Sequence, residues 1–143
     1  MAVRVATISD ASAIASLSIE LGYHATETEM ASRIPKLLHE SSAVFISELD
    51  GAIAGWLHVC MVRRLMAEPF AEIGGLIVGE KFRRRGVGTV LVEAAQSWTR
   101  AQNVIRLRVR TNQVREDANA FYEHLGFECV KSQAVFDFPL AEG

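Results

Sequence analysis

The sequence predicts an α/β fold built on a mixed, mostly antiparallel sheet. Asp50-Gly51 joins two β-type runs, residues 43–49 and 52–63, and this dipeptide readily supplies the positive φ angles of a two-residue hairpin turn. Residues 70–78 form a further strand, which is followed by a helical pattern and then by another strand. That order implies a crossover between two parallel strands, so both kinds of strand pairing are expected in one sheet.

Before the hairpin, the sequence predicts a short strand and a first helix. Residues 3–7 are typical of a strand, and Asp10 is placed to cap the helix that follows. Apolar residues then recur at spacings of three and four, and Gly22 is expected to end the helix. These apolar positions are Ile14, Leu17 and Leu21.

A second helix is predicted from the capping box Thr26-x-x-Glu29. Residues 30–38 continue with the helical period. Pro35 lies inside this pattern and has no backbone N–H, so we expect it to kink or divide the helix.

Glycines and apolar spacing predict the elements after the hairpin. Gly74-Gly75 interrupts the strand over residues 70–78, and glycine within a strand often marks a bulge. A helix over residues 87–100 and a strand over residues 104–110 follow. The helix is expected to bury Val87, Val90, Leu91, Ala94 and Trp98, and the strand Ile105, Leu107 and Val109.

A final helix is predicted from about residue 115. Gly126 suits a left-handed C-cap, and Phe127 suits the hydrophobic contact that accompanies it. Residues 128–130 and 135–138 are β-type runs that would close the sheet. The buried face of this helix is expected to contain Ala118, Phe121, Tyr122 and Leu125.

Length and composition indicate one cytoplasmic domain. At 143 residues, half of them apolar, the chain is expected to form a single domain over residues 1–143. Its 15 basic and 17 acidic residues give a net charge of −2, which disfavours a nucleic-acid partner. The N-terminus lacks the apolar segment of a signal peptide, and the uncharged stretch over residues 51–61 is too short to span a membrane. Cys60 and Cys129 are too few for a disulfide framework.

A basic, glycine-containing loop, Arg83-Arg84-Arg85-Gly86-Val87-Gly88, lies where a strand passes into a helix. A helix N-terminus presents unpaired N–H groups and the positive end of its dipole, and glycines let a ligand approach the backbone. The loop therefore indicates a phosphate-binding site. The alternative is a solvated basic turn that needs glycine for its geometry.

Two common nucleotide motifs are excluded at this loop. A P-loop requires lysine after its last glycine, but Thr89 follows Gly88. A dinucleotide fingerprint would need a third glycine where Leu91 stands, and Arg106 lies where a ribose-binding acid is expected.

The pattern R-x-x-G-x-G, from Arg83 to Gly88, resembles the acyl-CoA signature of the GCN5-related N-acetyltransferase (GNAT) superfamily. A second segment of that family, A-x-x-x-Y-x-x-x-G-F, is matched by residues 118–127 in the same chain order. The resemblance is close over residues 72–127 and loose elsewhere. It implies the acyl-CoA N-acyltransferase fold, in which a central parallel pair of strands is splayed at a bulge and helices cover both faces. It also implies acetyl-CoA (coenzyme A) as the acyl donor.

The resemblance places the cofactor along the bulged strand and the glycine loop. The pantetheine arm would lie beside the strand, with a backbone N–H near Ile77 or Val78 facing the thioester oxygen. Backbone amides of the loop would hold the pyrophosphate. The implied cofactor-binding residues are Leu76, Ile77, Val78, Arg83, Arg84, Arg85, Gly86, Val87, Gly88, Thr89, Asn112, Arg115, Ala118, Asn119 and Phe121. Arg115 stands where the family commonly has asparagine, and it matches a subgroup that reads R-x-x-A-x-x-F-Y.

Acetyl transfer to an amine requires a base, stabilisation of the developing oxyanion and an acid for the departing thiolate. The resemblance assigns the base, or the residue that positions a water, to Glu72, and the acid to Tyr122. Glu72 also fits a solvated charge near a strand end, and Glu68 and His58 are weaker alternatives. Tyr122 lies on an apolar stripe, which by itself predicts burial.

Acceptor-binding residues are the least determined. In this fold the loop between the first two helices often lines the acceptor pocket, which implicates Tyr23 and His24, and the strand carrying His58 is another wall. Each also fits a structural role. The histidines, His24, His39, His58 and His124, show no metal-ligand spacing such as H-E-x-x-H, so no metal site is expected.

The resemblance therefore implies a transferase, an acetyl-CoA-dependent N-acetyltransferase that acts directly on a primary amine of a small molecule in a ternary complex. An amine on a protein is one alternative acceptor. A non-catalytic acyl-CoA-binding or regulatory domain is a second alternative, and a nucleotide-phosphate binder is a third. The sequence leaves open whether the protein forms a homodimer.

Overall fold

A computed structural model describes residues 1–111 and 116–141, and the chain divides into two compact units. The first unit, Met1–Arg110, contains a five-stranded sheet and three α-helices. The second unit, Thr111–Gly143, contains the last helix.

The sheet of the first unit has the strand order β1-β2-β3-β4-β5. Its strands are β1 (Ala2–Val5), β2 (Ser42–Leu49), β3 (Ala52–Arg64), β4 (Ala67–Val78) and β5 (Leu107–Val109). Neighbouring strands are antiparallel from β1 to β4, whereas β4 and β5 are parallel. The predicted mixed, mostly antiparallel sheet is confirmed, although the parallel pair lies at the edge of the described sheet and not at its centre.

The turn between β2 and β3 is the predicted two-residue hairpin. Asp50 and Gly51 have φ angles of 54° and 76°, both in the left-handed region that such a turn requires. The turn brings β2 and β3 together as antiparallel neighbours along almost their whole length.

A bulge interrupts β4 at Gly74, as the paired glycines predicted. On β3, His58 and Val59 are consecutive, but they lie opposite Gly75 and Ile73, so Gly74 is the extra residue. Beyond it, β4 continues to pair with β3 as far as Val78.

Within the first unit, the three α-helices cover both faces of the sheet. The α-helices are α1 (Ala11–Glu20), α2 (Glu27–Leu37), α3 (Val87–Ala101) and α4 (Glu116–His124). Ile14 of α1 and Ile34 of α2 pack with Val44 and Ile46 of β2 in one core cluster. On the opposite face, a Cβ added at Gly55 of β3 would meet side-chain atoms of α3. No described helix has the length and apolar character needed to cross a membrane.

Asp10 does not cap α1, contrary to the sequence prediction. Its side chain makes no capping bond to that helix and instead accepts two hydrogen bonds from the Arg4 guanidinium, at 2.8 and 2.7 Å, and one from the Thr7 backbone N–H, at 2.7 Å. Asp10 is buried, and the charged partner on β1 competes more strongly for its carboxylate than the helix amides do. The residue therefore fastens the first strand to the first helix.

The second helix forms as its capping box predicted, but it is not divided at Pro35. Thr26 and Glu29 exchange the two reciprocal capping bonds, at 3.1 and 3.2 Å. The helix continues through Pro35 and ends at Leu37. Only two helical residues follow the proline, so the backbone bond that it cannot make lies in the last turn and no second segment is separated.

Two burial predictions in the crossover were wrong. The fully buried residues of α3 are Val87, Leu91, Val92, Ala95 and Thr99, and the predicted Val90, Ala94 and Trp98 are only half-buried. Ile105 is fully exposed, because β4 and β5 pair only through residues 71–73 and 107–109. The other two residues predicted to be buried in this strand, Leu107 and Val109, are half-buried. Apolar side chains cover a wide arc of α3, so the spacing alone did not select the buried stripe.

The second unit confirms the predicted helix end but not the last strands. Gly126 has a φ of 97°, and the N–H groups of Gly126 and Phe127 bond to Glu123 and Tyr122 in a Schellman motif. Residues 128–130 and 135–138 form no strand in the described part of the chain. An alternating pattern stabilises a strand only where one face is buried, and the exposed apolar side chains here are those of Val130, Val135, Phe136 and Phe138.

Replacing Asp10 should destabilise the first unit in a pH-dependent way. The hydrogen bonds from Arg4 hold the pKa of the Asp10 carboxyl below its ordinary value of 3.8, against the opposing effect of burial. Its stabilisation is therefore complete above that value and is lost as the pH falls through the lowered native pKa. We expect Asp10→Asn to cost about 2 kcal/mol in urea unfolding at neutral pH.

The matched control is Glu48→Gln, which removes the other carboxylate that accepts from Arg4. The Glu48 side chain is 42% exposed, so its loss should cost under about 1 kcal/mol. The assignment of the buried pair would be contradicted if the two substitutions lowered the free energy of unfolding equally. It would also be contradicted if the loss of stability caused by Asp10→Asn were as large in acid as at neutral pH.

Candidate active site

The end of β4 has one unpaired edge. Its parallel pairing with β5 stops at Ile73, whereas its antiparallel pairing with β3 continues from Gly75 to Val78. Among the described strands, none lies on the other side of Leu76, Ile77 and Val78. Alternate backbone N–H and C=O groups on that side are available to an extended ligand.

The glycine loop leads from this edge into α3. After a 3-10 turn over Glu80–Phe82, Arg84 and Gly86 both take left-handed φ angles, 62° and 80°. Gly86 is the N-cap of α3 and has no side chain to accept from the first N–H groups of the helix. The first helical bond runs from the Val90 N–H to the Gly86 carbonyl, at 3.1 Å.

The N–H groups of Val87, Gly88 and Thr89 precede that first bond and have no acceptor within the helix. This turn has two residues in the left-handed region and an uncapped helix N-terminus. Such a turn presents unpaired backbone N–H groups that can bind an anion.

The three arginines of the loop are exposed but differ in their contacts. Arg85 Nη1 lies 3.0 Å from Asp50 Oδ2, which connects the loop to the β2-β3 turn. For Arg83 and Arg84, no ion pair is found among residues 1–111 and 116–141. These two guanidinium groups are therefore available to a phosphate without breaking an existing pair.

Glu72 lies on β4 two residues before the bulge. Its side chain is 20% exposed, and its Oε1 accepts a hydrogen bond of 2.8 Å from Arg110 Nε. In the strand register it stands between Cys60 of β3 and Arg108 of β5. Burial, and then the negative charge of Glu72, raise the pKa of the Cys60 thiol, so that side chain is kept protonated.

His58 occupies the same face of the sheet, next to the bulge. Its Nε2 lies 3.0 Å from the Ser42 hydroxyl. Burial, with a smaller effect of the charge of His39, lowers the pKa of His58 and favours the neutral imidazole. A Cβ at position 74 would lie 2.6 Å from His58 Nδ1, so the bulge residue must be glycine for the ring to fit.

Gly75 has the same relation to Trp56, because a Cβ there would lie 2.9 Å from the indole ring. Trp56 Nε1 is buried and has no hydrogen-bond partner among the described residues.

The predicted acceptor residues in the loop after α1 are both exposed. Gly22 ends the helix with a φ of 88°, and the Tyr23 N–H bonds back to the Ser18 carbonyl at 3.0 Å. This cap fixes the direction in which the chain leaves α1, and it places Tyr23 and His24 at the surface.

The remaining predicted residues belong to the second unit. Tyr122 is half-buried on α4, with its ring edge-to-face against Phe121 and Phe127 at centroid distances of 5.1 and 5.4 Å. Asn119 accepts a hydrogen bond from Thr111, and Ala118 is half-buried. The predictions for Asn112 and Arg115 lie outside the described residues.

Sequence reasoning missed the polar partners that surround Glu72 and His58. Ser42, Arg108 and Arg110 contact or adjoin these residues only after strand pairing brings distant segments together. The alternation of arginine at positions 106, 108 and 110 was a usable pattern, since it marks one polar face of a strand. In the described part of the chain, no group of three His, Cys, Asp or Glu residues is placed to hold a metal ion.

Comparison with known proteins gives a family match over most of the chain. The model of the acetyltransferase (GNAT) family matches residues 12–127. An uncharacterised N-acetyltransferase of Chlorobaculum tepidum is 26% identical over 131 residues, which cover 92% of this chain and 77% of that protein.

Solved structures share the fold at low sequence identity. An apo aminoglycoside 6'-N-acetyltransferase from Acinetobacter haemolyticus superposes with a TM-score of 0.83 at 17% identity, covering 99% of this chain and 100% of the other. The aminoglycoside N-acetyltransferase AAC(6')-Iy in complex with CoA gives a TM-score of 0.82 at 19% identity, with 96% and 99% coverage.

The contact between the bulge and His58 should appear as an energetic coupling. Gly74→Ala forces the imidazole to move, and we expect it to destabilise the protein by about 2 kcal/mol in urea unfolding. In a His58→Ala background the same substitution has room, so most of this loss should disappear. Purely additive effects in the four-member cycle would show that the ring does not require the glycine.

Proposed function

Because the chain belongs to the acetyltransferase (GNAT) family, and is thus an acetyl-CoA-dependent N-acetyltransferase, we propose that it acetylates a primary amine of a small molecule by direct transfer in a ternary complex. The observation that carries this proposal is the unpaired edge of β4 immediately after a bulge, with the carboxylate of Glu72 just before that bulge on the same strand. An extended donor along the edge would bring its reactive end toward the carboxylate.

The residues of the first unit fit coenzyme A. The unpaired groups of Leu76, Ile77 and Val78 can bond to the amide-containing pantetheine arm, and the N-terminus of α3 can accept the pyrophosphate. Arg83 and Arg84 can add charge-assisted hydrogen bonds to the same phosphates. When bound, acetyl-CoA supplies an activated thioester, whose carbonyl oxygen would accept from a backbone N–H near Ile77 or Val78.

Glu72 is the proposed base, acting on the amine directly or through a water. An alkyl ammonium has a pKa of about 10.4, so a proton must be removed before the nitrogen can attack at neutral pH. Arg110 holds one carboxylate oxygen, and the second oxygen accepts no hydrogen bond from the described residues. That second oxygen can receive the proton while Arg110 fixes the orientation of the group.

Tyr122 is the proposed acid for the departing thiolate. A phenol has a pKa of about 10, close to that of an alkyl thiol, so proton transfer between them is nearly balanced. The edge-to-face contacts with Phe121 and Phe127 restrict the ring and so direct its hydroxyl.

The fold shared with aminoglycoside N-acetyltransferases supports a small-molecule acceptor. Tyr23, His24 and His58 are proposed to line its site, with His58 presented as a neutral imidazole.

Thiol release from acetyl-CoA across a panel of small amines tests the proposal. We expect turnover with at least one amine, and a loss of about 100-fold in kcat with Glu72→Gln that is greatest at low pH, where more of the amine is protonated. Tyr122→Phe keeps the ring contacts and should lower kcat by about tenfold or more without changing acetyl-CoA affinity. A binding domain without catalytic function would bind acetyl-CoA and release no thiol with any amine.

The phosphate-binding role of the loop predicts that bulk at Gly88 prevents cofactor binding. In calorimetric titrations with acetyl-CoA, Gly88→Ile should weaken affinity by about 100-fold, because the side chain would stand where the pyrophosphate approaches the helix N-terminus. Arg85→Gln is the control, since Arg85 already pairs with Asp50 and should matter little. Unchanged affinity in Gly88→Ile would place the cofactor elsewhere.

A further inference from the structure

Two arginines converge on one buried phenylalanine ring beside the candidate active site. The guanidinium carbons of Arg64 and Arg108 lie 5.7 and 4.5 Å from the centroid of Phe70, which is only 2% exposed. Phe70 is two residues before Glu72 on β4, so both side chains lie on the same face of the sheet. Stacking on the ring leaves the outward edges of each guanidinium able to donate to a planar anion.

The charges of this pair are not neutralised within the described residues. Neither Arg64 nor Arg108 has a carboxylate within ion-pair distance in residues 1–111 and 116–141. Glu68, which is on β4 with Phe70, is not within that distance either. The two guanidinium carbons are at most about 10 Å apart, because both lie close to the same ring centroid. One anion is therefore within reach of both side chains and would offset their positive charges.

The pair is not part of the phosphate-binding loop. Phe70 precedes Val78 by eight residues, which corresponds to about 26 Å along an extended strand, and the glycine loop follows Val78. Along β4, Glu72 and the bulge lie between the arginine pair at Phe70 and the glycine loop. An anion at Phe70 therefore belongs to the acceptor side of Glu72, not to the coenzyme A side.

We propose that the acceptor is an amine that also carries an anionic group, a carboxylate or a phosphate, and that Arg64 and Arg108 bind this group while the amine lies at Glu72. The inference rests on the proposed acetyltransferase function. Adjacent positions on one strand face are roughly 7 Å apart, which matches an extended ω-amino acid of about six carbon atoms. A polycationic amine would be repelled by the same arginines.

The test uses acceptors of equal chain length that differ only in the distal group. Thiol release from acetyl-CoA is measured with 6-aminohexanoate, hexylamine and 1,6-diaminohexane. We expect kcat/KM to be at least about tenfold higher for 6-aminohexanoate than for hexylamine, and lowest for the diamine. Added salt should raise KM for 6-aminohexanoate and leave hexylamine unchanged. A further acceptor, 6-aminohexyl phosphate, identifies which anion is preferred.

Variants assign the effect to the two arginines. Arg64→Gln and Arg108→Gln should each raise KM for 6-aminohexanoate by about tenfold, with kcat and the hexylamine parameters nearly unchanged. Arg63→Gln is the matched control, because strand alternation turns Arg63 to the other face. Equal kcat/KM for the acceptors, or equal effects of all three variants, would overturn the inference even though the enzyme is active.

If none of the acceptors gives thiol release, the proposed function is refuted separately. In that case calorimetric titration of the wild-type protein with 6-aminohexanoate decides the inference. Saturable binding that weakens in Arg64→Gln and Arg108→Gln supports the anion site, and the absence of binding overturns it.

Discussion

The steric fit between His58 and the Gly74 bulge is the constraint on which the candidate active site depends. The imidazole occupies the space that a Cβ at position 74 would need, so β4 can carry its extra residue only as glycine. Past that residue, β4 stays paired with β3 but is no longer accompanied by β5. The unpaired edge, the carboxylate just before it and the loop just after it are all positioned by this one irregularity in the strand.

Electrostatics on the same face of the sheet follow from partial burial. His58 is kept neutral, the Cys60 thiol is kept protonated, and the carboxylate of Glu72 is compensated by Arg110. Arg64 and Arg108 lie over Phe70 close to this carboxylate and have no ion-pair partner among the described residues. The chain as a whole carries a net charge of −2, so composition alone does not reveal this local pair of positive charges.

Local signals in the sequence predicted local structure well. The Asp50-Gly51 turn, the Thr26 capping box and the Gly126 helix end depend on a few adjacent residues, and each forms as expected. Predictions failed where distant partners decide. The Asp10 carboxylate binds Arg4 of β1 and not the amides of α1, and the β-type runs after Gly126 form no strand and bury no face. The same limit applies to the site, because the bond from Arg110 to Glu72 joins residues 38 positions apart.

The unpaired edge of β4 also limits how the fold can change. A longer β5 would cover Leu76, Ile77 and Val78 and would remove a sheet edge that is open to association with other chains. The same extension would occupy the backbone groups that the proposed donor would use. In the proposed function, completion of the sheet and binding of the donor are therefore mutually exclusive at these residues. A donor bound in the proposed way would satisfy the same backbone groups that an added strand would satisfy.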